Sequence, residues 1–136
     1  RSKKARPFMK DSVKRWLAFA EENLACARLV ADKGYYNPAL QNTQQAVEKT
    51  LKALILQNDL GFRKTHSIQD LKSSLAAVGV DVGLTDEDCE LLDSVYLPSK
   101  YPFGSALPDS QPDQEISETC IAIAARVLSR AKQLDY

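Results

Sequence analysis

His66 is the single histidine of the chain, and Arg63 and Lys64 stand just ahead of it. Histidine titrates near neutral pH and can move a proton in a reaction. Arginine and lysine supply charge-assisted hydrogen bonds to anions. Ser67 and Asp70 follow in a helix-start pattern, with a hydroxyl and a carboxylate able to reach free N–H groups. Arg63, Lys64 and His66 therefore lie immediately before a helix N-terminus. Backbone N–H groups there, helped by positive side chains, would form a phosphate site. The same geometry also serves a cap, so His66 could instead cap that helix or pack against the one before it.

Other chemistry-bearing residues read more blandly. Cys26, Cys89 and Cys120 are scattered, and none is at metal-ligand spacing from another. They read as small buried hydrophobes in a reducing compartment, and no metal site is expected. Asp86, Glu87, Asp88 and Glu90 are acidic neighbours; charge at a helix start explains them better than a cation site. Gln41, Gln45, Glu48 and Lys52 share one polar helix face, where Glu48 and Lys52 can pair across one turn for roughly a few tenths of a kcal/mol. Lys100 and Tyr101 sit in a proline-rich stretch. Tyr101 could stack on a base or anchor the loop to the body.

Five helices would position these groups. The first begins near Asp11 or Ser12, carries Val13, Leu17, Ala20, Leu24, Ala27 and Ala31 on one face with Trp16 beside them, and ends at Lys33-Gly34. The second opens around Tyr36–Pro38 and runs through Leu40, Thr43, Val47, Leu51 and Leu54 to about Asn58. The third follows Ser67 with Ile68, Leu71, Leu75 and Val78 as its stripe. Thr85 starts the fourth, which buries Leu91, Leu92 and Val95. From Leu97 to Asp113 the periodicity stops, and four of the six prolines fall there; a loop of this length is more often functional than idle. The fifth spans roughly Gln114 to Leu134 with Ile116, Cys120, Ile123, Val127 and Leu134 on one face and Ile121, Ala125 and Leu128 on a second. Two apolar faces imply either a contact with another subunit or central burial within one chain.

Composition sets the outer bounds. A chain of 136 residues with 44% hydrophobic and 26% charged residues is the size and balance of one folded domain. The formal net charge is zero, so no global field draws the protein onto duplex DNA; any nucleic acid or nucleotide must meet a local cluster of charge. No apolar run approaches the roughly 20 residues of a membrane helix. No window shows strand-like alternation, which leaves an all-α bundle.

The second-helix string Gln44-Gln45-Ala46-Val47-Glu48-Lys49-Thr50-Leu51-Lys52-Ala53-Leu54-Ile55-Leu56 is the most specific feature of the chain. With Trp16 in the first helix, Thr65-His66-Ser67 at a helix start and Lys100-Tyr101-Pro102 in the loop, it resembles the HEPN domain from about Asp11 to the C-terminus. The resemblance implies a five-helix up-and-down bundle that pairs as a two-fold dimer. It implies a nucleotide-binding module, a partner of minimal nucleotidyltransferases in toxin–antitoxin pairs, or a metal-independent ribonuclease. In that reading the polar face of the second helix borders the nucleotide or partner cleft, and Lys49 and Lys52 meet phosphates; the residues by themselves favour a merely solvated face. Many relatives carry Arg-Tyr-Pro in the loop; Lys100 keeps the charge but loses the planar fork.

The ribonuclease branch carries an arginine, four to six residues and then a histidine. Here Gly61, Leu60 and Asp59 occupy the matching places before His66, and Arg63 is only three residues away. Ile68 replaces the tyrosine that a partner nucleotidyltransferase modifies in some members. The sequence therefore leads to these expectations: a tail or linker over residues 1–10 and a HEPN domain over 11–136, homodimeric, cytoplasmic and off the membrane. No catalytic residue, metal or obligatory cofactor is expected. The ligand is a nucleotide, ATP or GTP, or a nucleotidyltransferase partner, met by Lys49, Lys52, Arg63, Lys64, His66, Lys100 and Tyr101. RNA is the less favoured partner. The alternatives are a HEPN ribonuclease toxin with a displaced site, or a plain homodimeric interaction domain of a larger sacsin-like protein.

Overall fold

The computed structural model describes residues 9–100 and 112–134, side chains of residues 96–100 excepted. Five helices make up the described part: α1 (Asp11–Asp32), α2 (Tyr36–Gln57), α3 (Ile68–Ala76), α4 (Asp86–Lys100) and α5 (Gln114–Gln133). No strand occurs among the described residues.

The apolar spacing of α1 places Val13, Leu17, Ala20, Leu24 and Ala27 in the core. The first turn is not capped by Asp11 or Ser12, the residues the sequence points to; Lys10 is the N-cap, and its side chain makes no capping bond. The start of α1 is tied to α2 instead. The Lys10 amide donates to Gln57 Oε1 at 3.2 Å, and Lys10 Nζ donates to the Leu56 carbonyl at 3.1 Å. A cation thereby meets the negative end of α2, and α1 and α2 run antiparallel. Met9 packs against the core as well. Gly34 closes the turn between the helices at φ 84°, a conformation glycine adopts without steric cost.

Helix α2 is the centre of the bundle and touches each of the other four helices. It buries Leu51, Leu54, Val47 and Ala53 almost completely. Thr43 and Thr50 are buried too, and their hydroxyls donate to the carbonyls of Ala39 and Ala46 at 2.8 and 2.7 Å. Polar groups satisfied within their own helix can sit in a core without large cost.

Ser67 caps α3 by accepting from the Asp70 amide, as the pattern predicts. The helix then stops at Ala76, before the expected stripe ends. Gly79 takes φ 80°, the chain turns, and Val78 is left 50% exposed. Val80 returns to the core in its place. Thr85 and Asp88 cap α4 reciprocally: the Asp88 amide donates to Thr85 Oγ1 and the Thr85 amide to Asp88 Oδ2, both at 3.0 Å. The helix continues to Lys100, past Leu97 where the expected loop begins. Pro98 lacks one N–H and bends a helix, which need not end it.

Helix α5 lies against α1 and α2. Of its second apolar strip, Leu128 is buried within the chain, while Ile121 and Ala125 are half-buried. Arg126 and Arg130 donate through Nε to the carbonyls of Gly83 and Asp81 at 2.9 and 3.0 Å, fastening the α3–α4 turn to α5.

Candidate functional site

One face of α2 is polar, yet it is not freely solvated. Glu48 retains only 5% of its surface, because it lies beside Val47 and Leu51 on a helix covered on most sides. A buried carboxylate must be paired, and three side chains meet it. Lys52 Nζ donates to Glu48 Oε2 at 2.7 Å, and His66 Nδ1 lies 3.0 Å from the same oxygen. Gln44 Nε2 donates to Glu48 Oε1 at 3.3 Å and also to the His66 carbonyl at 3.2 Å. Gln45 Nε2 in turn donates to Gln44 Oε1 at 3.1 Å. Burial pushes the Glu48 carboxyl up, but the bonds from Lys52 and His66 and the Lys52 charge outweigh it. The result is a carboxyl held below its ordinary value.

This network fixes the segment between α2 and α3. Gln44 and Glu48 hold His66 by its backbone and its ring, and the side chain stays 56% exposed. Arg63 and Lys64 precede it on the surface, where Arg63 donates to Ser74 Oγ. Phe62, Arg63, Lys64, Thr65, Asp70 and Ser74 border an open depression of about 630 Å³. Within it Thr65 Oγ1 donates to Asp70 Oδ2 at 3.2 Å.

On the other flank of the same α2 face, Lys49 Nζ donates to Asn23 Oδ1 of α1 at 2.8 Å. Asn23 continues the chain by donating to Asn42 Oδ1 at 2.9 Å, and Asn42 donates to the Pro38 carbonyl at 3.0 Å. Lysines 49 and 52 thus stand three residues apart, one tied to α1 and the other to the carboxylate that holds the α2–α3 segment.

The helix start expected to receive a phosphate is already filled. Asp93 of α4 reaches across and accepts from the Ile68 amide at 2.7 Å, the Gln69 amide at 3.2 Å and Ser67 Oγ at 3.1 Å. Its carboxylate takes the place an anion would occupy. Arg63, Lys64 and His66 remain beside this corner, but the α3 amides are not available to a ligand while Asp93 holds them.

The structure therefore gathers Lys49, Lys52, Arg63, Lys64 and His66 along α2 and the segment after it. Lys100 ends α4, and Tyr101 lies outside the described residues. Three participants are not evident from the sequence: Gln44, the core-facing neighbour of the polar face, and Asp93 and Asn23 from other helices. Asp93 has one sequence signal, since aspartate is unfavourable inside a helix unless its side chain bonds elsewhere.

The cysteines and acids divide as follows. Cys89 and Cys120 are buried, and burial pushes their thiols up to about 11 and about 12. Both are poor nucleophiles at neutral pH. Cys26 is exposed, contrary to expectation, because it falls on the outer face of α1. Asp86 pairs with Lys72 at 2.8 Å and Asp88 with Arg126, so these acids serve the start of α4. Among the described residues no group of three His, Cys, Asp or Glu side chains is placed to hold a metal ion. No helix among them is long and apolar enough to cross a membrane.

Two solved structures resemble this chain. The crystal structure of ST0689, an archaeal HEPN homologue, superimposes with a TM-score of 0.66 at 30% sequence identity, covering 88% of this chain and 94% of that one. The crystal structure of TT1696 from Thermus thermophilus superimposes with a TM-score of 0.72 at 28% identity, covering 91% and 98%. No curated protein matches significantly. The HEPN domain itself matches residues 13–134, a span that takes in all of the bundle but the first two residues of α1, and the chain belongs to the HEPN domain family.

Proposed function

We propose that this chain is a HEPN module without catalytic chemistry of its own, which pairs with a second copy and binds a nucleotide, ATP or GTP, or a minimal nucleotidyltransferase, in a toxin–antitoxin-like setting. The observation that carries this reading is the concentration of Lys49, Lys52, Arg63, Lys64 and His66 along one side of the molecule. A chain of zero net charge has here four permanent cations against three carboxylates, Glu48, Asp70 and Asp93. Lys52 spends one donor on Glu48 and Lys49 one on Asn23; each ammonium has three. The remaining donors, with Arg63 and Lys64, suit the oxygens of a phosphate chain. Lys100 and Tyr101 belong to the same proposal on the sequence resemblance alone. The lack of the arginine–histidine spacing supports the non-catalytic reading.

Calorimetric titration with ATP and with GTP tests it, repeated on Lys64→Ala, Lys49→Ala and His66→Ala proteins. The expected result is saturable heat with the wild type and weaker binding in each variant. Wild-type protein that takes up neither nucleotide sinks the nucleotide claim. Light scattering at micromolar concentration tests the pairing, and a monomer mass throughout removes it.

One contact favours a second reading. A buried carboxylate at 3.0 Å from a half-exposed imidazole is also the geometry that orients a general base. In that case the chain cleaves RNA from a displaced site. Incubation with single-stranded RNA in the presence of a chelator, wild type against His66→Ala, decides between the two.

A further inference from the structure

Two large aromatic rings stand in water on the flanks of the α2 face. Phe19 of α1 is 51% exposed and Phe62, just after α2, is 76% exposed. Each ring has a lysine ammonium of α2 against it. Lys49 Nζ lies 5.9 Å from the centre of the Phe19 ring, and Lys52 Nζ lies 5.9 Å from that of Phe62. Lys49 and Lys52 are adjacent on the helix surface, so the two ring–lysine pairs are neighbours, with Gln45 one turn before Lys49 on the same face.

We infer that Phe19 and Phe62 are stacking platforms for nucleobases, with Lys49 and Lys52 receiving the phosphates the bases carry. This deepens the nucleotide reading above and rests on it. The chemistry is complementary in two respects. A cation against one face of a ring draws on its π cloud, leaving the other face suited to an electron-rich purine. The lysines retain donors not used by Glu48 or Asn23, and these suit phosphate oxygens. A docked apolar helix is the poorer fit, since it needs a continuous apolar groove and here Lys49, Lys52 and Gln45 interrupt the rings. Stacking is indifferent to base identity, so the site selects purine over pyrimidine weakly and reads no sequence.

A nucleobase with its phosphate can come from a free nucleotide or from a single strand, and the test separates them. Binding of ATP and of a fluorescein-labelled adenine ribonucleotide hexamer is measured by calorimetry and anisotropy. The proteins are wild type, Phe19→Leu, Phe62→Leu and the double variant. Leucine keeps an apolar side chain but removes the π face. Both rings are exposed, so the variants keep their fold, and a thermal melt checks this. The expected loss is roughly tenfold for each stacked base. ATP losing affinity through one ring only, with the hexamer sensitive to both, assigns the surface to single strands. Equal losses for both ligands assign it to a free nucleotide. Phe62→Trp adds a direct signal, because a purine stacked on the indole quenches its fluorescence. Wild-type affinity in all the leucine variants, with no quenching in Phe62→Trp, overturns the stacking inference and leaves the nucleotide reading standing. Absence of binding by the wild type overturns the nucleotide reading itself.

Discussion

Asp93→Ala removes three hydrogen bonds from the start of α3: those from the Ile68 amide at 2.7 Å, the Gln69 amide at 3.2 Å and Ser67 Oγ at 3.1 Å. Bonds to a charged acceptor are worth about 1.5–3 kcal/mol each when their loss leaves a donor unsatisfied. Asp93 is half-buried, so water can reach the vacated amides, and Ser67 still receives the Asp70 amide. The expected loss is therefore at the low end for the two amides, about 2–3 kcal/mol in all. With an unfolding entropy of roughly 2.1 cal/mol/K per residue over 136 residues, that lowers Tm by about 7–10 °C. Asp93→Asn retains one acceptor oxygen and should fall between. The variant has a further signature. Once the carboxylate is gone, the α3 amides beside Arg63, Lys64 and His66 become an open anion site. Phosphate at about 50 mM should restore roughly 1 kcal/mol if it binds there with a dissociation constant near 10 mM. Melting followed by far-ultraviolet circular dichroism, with chloride at matched ionic strength as the control, reads both effects. An Asp93→Ala Tm within about 2 °C of the wild type would refute the assignment of Asp93 as the inter-helix cap. Equal phosphate stabilisation of wild type and variant would show that the amides were never occupied.

Glu48 has a folded carboxyl below its ordinary value of 4.5; it therefore contributes stability above that pH, lost as the pH falls through the lower folded value. Urea midpoints of wild type and Glu48→Gln should converge on acidification below about pH 4.5, and a constant gap from neutral to strongly acid pH speaks against the pairing. At neutral pH, Glu48→Ala leaves Lys52 without its partner and should cost about 2–4 kcal/mol in denaturant unfolding; a loss under about 0.5 kcal/mol contradicts a buried ion pair. Native protein should offer one fast-reacting thiol to Ellman's reagent, Cys26, while Cys89 and Cys120 react only after denaturation; rapid modification of all three contradicts the burial. Leu51→Ala, at a fully buried position of the central helix, should lose about 3 kcal/mol, measurable by the same urea titration.

The fold was legible because local rules and the apolar pattern agreed. The stripes of α1 and α5 have helical spacing, Gly34 punctuates the first turn, and Ser67 and Thr85 begin α3 and α4 through short-range hydrogen bonds. Each of these signals spans at most a few turns, so one-dimensional reading reaches them. Two boundaries differ from the apolar pattern. The fourth helix passes through Pro98 to Lys100, since losing one N–H does not forbid continuation. The third ends before Val78 because Gly79 turns the chain.

The sequence by itself determined the elements, the family and the two lysines on the polar face of α2, because residue type and period suffice for these. Tertiary structure alone decided what those residues do to one another. Glu48 and Lys52 could pair on any exposed helix; burial by the surrounding helices and the arrival of His66 made the pair the anchor of a loop. The α3 N-terminus was an anion site in one dimension and a filled cap in three, because Asp93 lies 25 residues away from Ile68 along the chain yet extends its carboxylate across the helix contact to accept the Ile68 amide. Phe19 and Phe62 likewise meet the lysines of α2 only after folding. Contacts between residues distant in sequence depend on how helices pack, and no periodicity within a single helix encodes that placement.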